Sequence, residues 1–261
     1  MSELEALILG VVQGLTEFLP VSSSGHLVIG QVLLGIHDEG GLLFEVAVHF
    51  ATLVAIVLFY RARIGRLVVG ALKGKGEDWR YIGKLALGTL PALLVGLFAR
   101  DAVEGLFAIP SVVGWSLLVT GTFLWTTRWT LPEAHAEEPS WAASLWIGCA
   151  QALAIVPGIS RSGATVAAAL ALGVAPAAAA EFSFLLGVVA ISGAVTLVIP
   201  ELSVVPADQW PGLLTGAAAA MLSGLIALRL FVWLLRQRAF YAFAYYDWAA
   251  GALVLIALAL A

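Results

Sequence analysis

Six long apolar runs dominate the sequence, and each is long enough to cross a lipid bilayer as an α-helix. About 20 predominantly apolar residues suffice for one crossing. The runs cover residues 42–60, 81–99, 111–131, 182–200, 210–235 and 242–261. This pattern predicts an all-α polytopic membrane protein with about six transmembrane helices.

Two further apolar segments, residues 4–35 and 142–174, are interrupted at their middles by proline, glycine and serine. Non-helical backbone at membrane depth is tolerated only where it is buried in protein or lines a watery cavity. We therefore expect each segment to form a re-entrant helical hairpin whose central break faces an internal cavity.

The two interrupted segments are related by a shift of 138 positions without a gap. The coinciding residues are Gln13 with Gln151, Leu15 with Leu153, Ser22 with Ser160, Ser24 with Ser162, Gly25 with Gly163, and Leu34-Gly35 with Leu172-Gly173. Chance similarity between alanine- and leucine-rich helices is a weaker explanation, because Ser-x-Ser-Gly is not a low-complexity match. Since duplicated units of opposite orientation are a known membrane architecture, we predict one membrane domain, 1–261, arranged as an inverted repeat with halves at about 5–131 and 142–261.

The composition agrees with a membrane protein. Of the 261 residues, 61% are apolar and 11% are charged, whereas charged residues make up about 25% of an ordinary soluble domain. Such a chain cannot cover a soluble surface with polar side chains. The composition therefore excludes a soluble globular enzyme, a nucleic-acid-binding protein and a disordered chain.

The basic residues predict the orientation of the helices. Ten of the 13 belong to one set of loops: seven in residues 61–84, then Arg236 and Arg238, and Arg128 at the end of the third run. Lysine and arginine concentrate on the cytoplasmic side, so we place these loops, and the acidic linker 132–140, in the cytoplasm. The first hairpin then enters the membrane from outside and the second from the cytoplasm.

Each break carries hydroxyl groups at the predicted start of a new helix. The two clusters are Ser22-Ser23-Ser24 and Ser160-Arg161-Ser162. Serine is a favourable N-cap residue, and the free N–H groups of a helix N-terminus attract anions. Hydroxyls and a guanidinium group suit phosphate oxygens. Two such N-termini facing each other, with Arg161 between them, predict a phosphate pocket inside the membrane.

The first hairpin also contains candidate acid–base groups. Gln13 and Glu17 are spaced i, i+4 and share a helical face. Glu17 lies in an otherwise apolar stretch, where an unpaired carboxylate is costly. It is a candidate general base, metal ligand, ion-pair partner of Arg161 or hydrogen-bonded structural acid. His26 follows Ser22 by four residues, and a histidine within reach of serine and glutamate suggests a nucleophile with acid–base partners.

Three other polar side chains lie in apolar surroundings. Glu45 and His49 are spaced i, i+4, which favours a side-chain pair, and Glu181 precedes the fourth apolar run. We interpret all three as supporting or structural residues.

The stretch from Gln13 to His26, QGLTEFLPVSSSGH, resembles the first signature of the undecaprenyl-diphosphate phosphatase family, also called the bacitracin-resistance family. Residues 157–165, PGISRSGAT, resemble its second signature, and residues 181–186, EFSFLL, resemble a further family segment. Two long motifs in the family's order make the resemblance specific, and it extends over residues 5–260.

The resemblance implies an integral membrane enzyme that removes the terminal phosphate of undecaprenyl diphosphate and so recycles the lipid carrier of cell-wall synthesis. It also implies an active site open to the outer face of the bacterial inner membrane. The implied partners are the bilayer, a polyprenyl diphosphate lipid, and bacitracin as a competitor that binds this lipid. The sequence leaves the oligomeric state open.

By position, the family's catalytic residues fall on Glu17, Ser23, His26 and Arg161. The residues implied to bind substrate are Gln13, Ser22, Ser24, Ser160, Ser162 and Thr165. The family often has glutamate at the position of Gln13, and an amide cannot act as a base or bind a metal as a carboxylate does. A divalent cation, Mg²⁺ or Ca²⁺, is the implied cofactor. Because the sequence shows no closed protein metal site, substrate phosphates would hold most of it.

Two classes of function are consistent with these residues. In a phosphatase, Ser23 or water attacks the terminal phosphorus, and Glu17 or His26 takes the proton. In a transporter or flippase of phosphorylated prenyl lipids, broken helices that meet at the midplane would form the same anion pocket. Because a carrier needs no acid and histidine beside a serine, the residue set favours the phosphatase.

The orientation is testable at the 61–84 loop. A cysteine at Gly74, in a chain whose single Cys149 has been replaced, is expected to resist a membrane-impermeant thiol reagent in intact cells. The seven basic residues should retain this loop in the cytoplasm. Labelling after permeabilisation is the positive control, and labelling of intact cells would contradict the topology.

Overall fold

The computed structural model of the protein describes residues 1–36, 41–107, 109–198 and 206–260. In this part of the chain the helices are α1 (Glu3–Phe18), α2 (Ser23–Leu34), α3 (Gly41–Phe59), α4 (Arg61–Leu72), α5 (Gly76–Phe98), α6 (Arg100–Phe107), α7 (Pro110–Thr130), α8 (Trp141–Leu153), α9 (Arg161–Ala171), α10 (Pro176–Val198), α11 (Trp210–Arg236) and α12 (Phe243–Leu260). The predicted all-α fold is confirmed.

The helices also confirm a polytopic membrane protein. Four of them, α5, α10, α11 and α12, are long and apolar enough to cross a bilayer. Two bent pairs raise the number of possible spans to six: α3 with α4, at 74°, and α6 with α7, at 95°. The six predicted apolar runs correspond to α3, α5, α7, α10, α11 and α12.

Each interrupted segment forms two helices joined by an irregular break. The first gives α1 and α2, and the second gives α8 and α9. With 12 residues in α2 and 11 in α9, these helices are about 16–18 Å long at 1.5 Å per residue. The hydrocarbon core is about 30 Å thick, so neither helix can cross it.

The ends of each hairpin lie together. In the second hairpin the Ala136 N–H donates to the Gly173 carbonyl, and the Ala175 N–H donates to the Ala136 carbonyl, both at 2.8 Å. In the first hairpin, Leu34 at the end of α2 packs in the same apolar cluster as Ala6 near the start of α1. Both segments therefore have the predicted re-entrant shape.

Contacts place the two hairpin entrances at opposite ends of the bundle. The first entrance lies beside Phe44, near the start of α3. The other end of α3 leads into α4, where Arg63 donates to Glu181 at 2.8 Å. The chain then enters α5, where Lys84 donates at 2.8 Å to Glu138 in the linker before the second hairpin. The second hairpin therefore starts at the end that carries the basic loop.

Glycine allows the first helix of each hairpin to lie directly against a long helix. Gly10 on α1 contacts the backbone of Gly216 on α11, and the repeat-related Gly148 on α8 contacts the backbone of Gly88 on α5. A Cβ atom at Gly10 or Gly148 would collide with the facing carbonyl, and membrane helices use small residues for such close approach. The repeat-related glycines Gly10 and Gly148 thus make the same kind of close helix–helix contact in the two halves. Superposition of the two halves about an axis in the membrane plane stays a prediction.

Substitution of Gly148 by alanine tests this packing. The added methyl group would meet the Gly88 backbone, which cannot move aside unless α5 and α8 separate. Overpacking of this kind costs about 1–3 kcal/mol, so we expect a lower thermal unfolding midpoint in detergent.

Gly96→Ala on α5 is the matched control. Nothing lies within 4 Å of the Cβ position at Gly96, and alanine in a helix interior is about 0.5–1 kcal/mol more favourable than glycine. Its midpoint should be unchanged or higher, and equal midpoints for the two variants would contradict the proposed packing.

Candidate active site

The tips of the two hairpins meet in an ion pair. Glu17 lies near the end of α1, and Arg161 is the first residue of α9. The Arg161 Nη2 donates to Glu17 Oε1 at 2.8 Å, and the two side chains are 15% and 7% exposed. Gly187 on α10 makes room for the guanidinium, because a Cβ atom there would collide with it. Arg161 Nη1 is buried and has no hydrogen-bond partner in the described structure.

Glu17 is also bonded to two residues of its own hairpin. The Ser23 hydroxyl donates to Glu17 Oε2 at 2.6 Å, and Gln13 Nε2 donates to the same oxygen at 3.1 Å. The predicted shared face of Gln13 and Glu17 is confirmed by this bond. A buried carboxylate with this set of donors is adequately compensated. It is also aligned on a serine hydroxyl, which is the arrangement of a base with its nucleophile.

The backbone at the first break is strained. Ser22 has φ 67° and ψ 99°, a region that residues with a side chain rarely adopt. Its hydroxyl caps α2 by accepting from the Gly25 N–H at 3.4 Å and lies 3.3 Å from the Ser24 hydroxyl. Ser22 is buried, whereas Ser23 and Ser24 are half-buried. This conformation starts α2 with Ser23 beside Glu17.

The second break repeats this capping but conceals its hydroxyl groups. Ser160 caps α9 by accepting from the Gly163 N–H at 3.1 Å and lies 3.2 Å from the Ser162 hydroxyl. The backbone N–H of Ser160 donates to Thr120 on α7 at 3.1 Å. Ser160 and Ser162 are 2% and 0% exposed.

The prediction that Ser160, Ser162 and Thr165 bind phosphate stays a prediction, and the structure places all three side chains inside the protein. Thr165 is fully buried, and its hydroxyl donates to the Arg161 carbonyl at 2.7 Å and bonds to the Ser183 hydroxyl on α10. The Ser160 backbone contacts α7 and the Thr165 hydroxyl contacts α10, while the Ser162 hydroxyl donates at 3.5 Å to the Leu19 carbonyl at the first break. Protein groups rather than solvent therefore surround these hydroxyls. They position the backbone that carries Arg161.

His26 is oriented differently from the sequence prediction. Its Nδ1 lies 2.8 Å from the Ser22 carbonyl, and its Nε2 lies 2.6 Å from the Tyr246 hydroxyl on α12. Both ring nitrogens of His26 therefore bond to groups other than Glu17 and Ser23. The bond from Nδ1 to the Ser22 carbonyl, four residues earlier, fixes the orientation of the ring. Tyr246 was not identified from the sequence, since one tyrosine in an aromatic helix carries no distinguishing pattern.

The predicted side-chain pair between Glu45 and His49 is wrong. His49 Nδ1 lies 2.7 Å from the backbone carbonyl of Glu45, while the Glu45 carboxylate accepts from Gln31 at 3.3 Å. His49 Nε2 instead lies 3.8 Å from Glu17 Oε2. The i, i+4 spacing suggested Glu45 as the partner of the His49 side chain. The sequence therefore did not reveal that His49 faces Glu17 on another helix.

Glu181 agrees with its interpretation as a structural residue. Its carboxylate accepts from Arg63 at 2.8 Å and from the Tyr81 hydroxyl at 3.3 Å. These bonds join α4, α5 and α10 at the end of the bundle that carries the basic loop.

The site has few groups suited to a metal ion. Within the described part of the chain, no three histidine, cysteine, aspartate or glutamate side chains are grouped to hold one. The site does offer the Glu17 carboxylate and the buried Gln13 Oε1, which has no hydrogen-bond partner there. Oxygen ligands suit Mg²⁺ and Ca²⁺, so these atoms fit a cation whose other ligands are phosphate and water.

Comparison with known proteins identifies the family. The sequence model of the protein family described as bacitracin resistance protein BacA matches residues 6–253. The chain belongs to this family. Curated members include the undecaprenyl-diphosphatase of Desulforapulum autotrophicum, 40% identical over 97% of each chain. The protein of that name from Carboxydothermus hydrogenoformans is 39% identical over 98% of this chain and 97% of its own, and that from Rubrobacter xylanophilus is 40% identical over 96% of each.

Arg161→Lys tests the guanidinium in this family member. Lysine keeps the charge but loses the planar fork, so it cannot hold Glu17 through one nitrogen and leave a second nitrogen for a ligand. We expect turnover to fall by roughly 100-fold, the scale for loss of one transition-state donor, with the protein still folded. Phosphate release by purified protein measures the effect, and near-normal turnover would make Arg161 a structural residue.

Proposed function

We propose that the protein hydrolyses undecaprenyl diphosphate to undecaprenyl phosphate and inorganic phosphate, which returns the lipid carrier to cell-wall synthesis and gives resistance to bacitracin. The observation that carries this proposal is the Ser23–Glu17–Arg161 contact inside the helical bundle. This contact combines a serine nucleophile, a carboxylate base and the positively charged guanidinium of Arg161. Membership of the family supports the same activity.

In the proposed reaction the Ser23 oxygen attacks the terminal phosphorus in line with the bridging oxygen. As the new oxygen–phosphorus bond forms, Glu17 Oε2 takes the Ser23 proton, since the two oxygens are already 2.6 Å apart. The bond to the bridging oxygen breaks, and the lipid phosphate leaves with the electron pair. Water then hydrolyses the phosphoserine. Direct attack by water, with Ser23 as a ligand, would use the same base.

Charge on the transferring phosphate is stabilised by groups already in place. Arg161 Nη1 is a buried donor without a partner in the described structure, and the N-terminus of α2 presents its N–H groups beside Ser23. Preorganised donors of this kind supply most of what phosphoryl transfer requires. A divalent cation held by the substrate, Gln13 Oε1 and Glu17 would neutralise further charge.

The site favours an enzyme over a lipid carrier. A transporter or flippase of phosphorylated prenyl lipids needs Arg161 and helix N-termini to hold the headgroup. It has no use for a carboxylate aligned on a serine hydroxyl. The Ser23–Glu17 hydrogen bond at 2.6 Å is therefore the feature that supports hydrolysis.

We further propose that the site opens to the outer side of the bacterial inner membrane. The first hairpin starts at the end of the bundle away from the basic loop, and basic loops stay in the cytoplasm. Ser23 and Ser24 in that hairpin are half-buried, whereas Ser160 and Ser162 in the other are closed off. Bacitracin, which would bind the diphosphate lipid, then competes for substrate at the outer surface.

Glu17→Gln tests the function through the base. Glutamine keeps the shape of the side chain and removes its charge, so it cannot take a proton from Ser23. Phosphate release from undecaprenyl diphosphate in detergent should fall by about 100-fold or more. The protein should remain folded, because a neutral amide is less costly to bury than a carboxylate.

Glu5→Gln on the same helix is the matched control, because Glu5 lies 12 residues before Glu17 at the start of α1, where its carboxylate accepts from the Ser2 N–H. This variant should hydrolyse the lipid at the normal rate. Full hydrolysis by Glu17→Gln would contradict a catalytic role for Glu17. An inactive wild-type protein that still binds the lipid would favour the carrier.

A further inference from the structure

A cavity of about 440 Å³ lies at the tip of the first hairpin. One wall consists of Leu15 and Thr16 in the last turn of α1, together with Leu19 and Val21 in the break before α2. Residues from the end of α11 to the start of α12 form the opposite wall. Small-molecule sites commonly have volumes of about 300–1,000 Å³. This cavity, the tip pocket, is therefore large enough for a ligand, and it borders the segment that joins the proposed base to the proposed nucleophile.

The side chains that line the tip pocket are almost all apolar. Thr16 and Tyr246 supply its hydroxyl groups, and no charged side chain of the described structure lines it. Both hydroxyls already have partners, because Thr16 donates to the Val12 carbonyl at 2.6 Å and the Tyr246 oxygen lies 2.6 Å from His26 Nε2. A phosphate or a sugar would have its polar groups unpaired in such a pocket, which is costly. The tip pocket thus suits a hydrocarbon.

Tyr246 connects the tip pocket to the candidate active site. Its side chain lines the pocket, and its ring is stacked on the ring of His26 at an interplanar angle of 17°. His26 Nδ1 lies 2.8 Å from the carbonyl of Ser22, and Ser23, the proposed nucleophile, follows Ser22 directly. A ligand whose polar head lies at Ser23 can therefore extend past His26 and Tyr246 into the tip pocket.

The tip pocket also lies in the direction that a lipid from the outer leaflet requires. Its opposite wall includes Leu234 near the end of α11 and Ala239 in the turn that follows. Arg238 belongs to the same turn, and basic loops stay in the cytoplasm. The pocket therefore extends from the hairpin tip towards the cytoplasmic end of the bundle. A lipid of the outer leaflet has its headgroup outside and its chain directed inwards, so its chain would point into this pocket.

We propose that the tip pocket binds the prenyl chain of the diphosphate substrate, at the isoprene units nearest the headgroup. This inference rests on the proposed phosphatase function, because it places the diphosphate at Ser23 and Arg161. Binding energy from a part of the substrate that does not react can hold the reacting phosphate in position. The acyl chain of a phospholipid is also apolar. Only the diphosphate lipid is held at the adjacent site as well, and two linked contacts favour its chain over a chain that binds alone.

Ala242→Trp tests the proposal in purified, full-length protein. Ala242 lines the tip pocket and is exposed, so a larger side chain there occupies the pocket without entering the packed core. KM for undecaprenyl diphosphate should rise by at least about tenfold, the factor expected from lost burial of about two methylene groups. The change in kcat should be much smaller, because a rise in KM alone indicates lost binding rather than lost chemistry. Ala249→Trp, at an exposed alanine of α12 outside the pocket, is the matched control and should behave as wild type.

Photo-crosslinking identifies the occupant of the pocket directly. A benzophenone side chain placed at Ala242 should become attached to tritiated undecaprenyl diphosphate, whereas the same group at Ala249 should capture much less of it. Excess unlabelled undecaprenyl diphosphate should prevent the attachment at Ala242. An equal excess of phosphatidylglycerol should not, because its headgroup is not held at Ser23 and Arg161.

An unchanged KM in Ala242→Trp would overturn the inference, and so would a variant that loses kcat while KM stays the same. Crosslinking that phosphatidylglycerol prevents as readily as undecaprenyl diphosphate would also overturn it, since bilayer acyl chains would then be the occupants. Wild-type protein that releases no phosphate, in a sample where Ala242 still crosslinks to undecaprenyl diphosphate, would contradict the proposed function and support the pocket.

Discussion

The structure depends on the ion pair between Glu17 and Arg161 at the point where the two hairpin tips meet. Neither charge is tolerable alone in a membrane interior, and removal of one partner from a buried pair leaves the other uncompensated. The pair therefore ties together segments 144 residues apart in the chain. It also sets the direction of the Glu17 carboxylate, so that one oxygen faces the guanidinium and the other receives the Ser23 hydroxyl.

The two halves use one local structure for different purposes. A shift of 138 positions places Ser23 on Arg161, so the proposed nucleophile and the cation occupy equivalent positions at the starts of α2 and α9. The flanking serines form the same bonds in both halves, with hydroxyl–hydroxyl distances of 3.3 and 3.2 Å. In the first half these groups border the accessible site, while in the second they are buried and support Arg161. Divergence between serine and arginine at this repeat position thus distinguishes the proposed nucleophile from the group that stabilises charge.

Rigid support for this site comes from direct backbone contact between helices. Gly10 and Gly148 allow α1 and α8 to lie against α11 and α5 without intervening side chains. Thr120 on α7 and Gly187 on α10 then fix the second tip, one by bonding to Ser160 and the other by leaving space for the guanidinium. A hairpin held in this way keeps its irregular tip at a constant depth, which is what a site assembled from two tips requires.

The sequence by itself determined the features that are local in the chain. The lengths of the apolar runs predicted the long apolar helices, and the Pro/Gly/Ser interruptions predicted the two hairpins. The i, i+4 spacing correctly placed Gln13 beside Glu17. Only the tertiary structure decided which side chains meet across helices. His26 and His49 both bond through Nδ1 to the carbonyl one turn earlier, yet His26 then faces Tyr246 and His49 faces Glu17. Helix periodicity fixes the face of a helix on which a residue lies, but the neighbour of that face depends on how the helices pack.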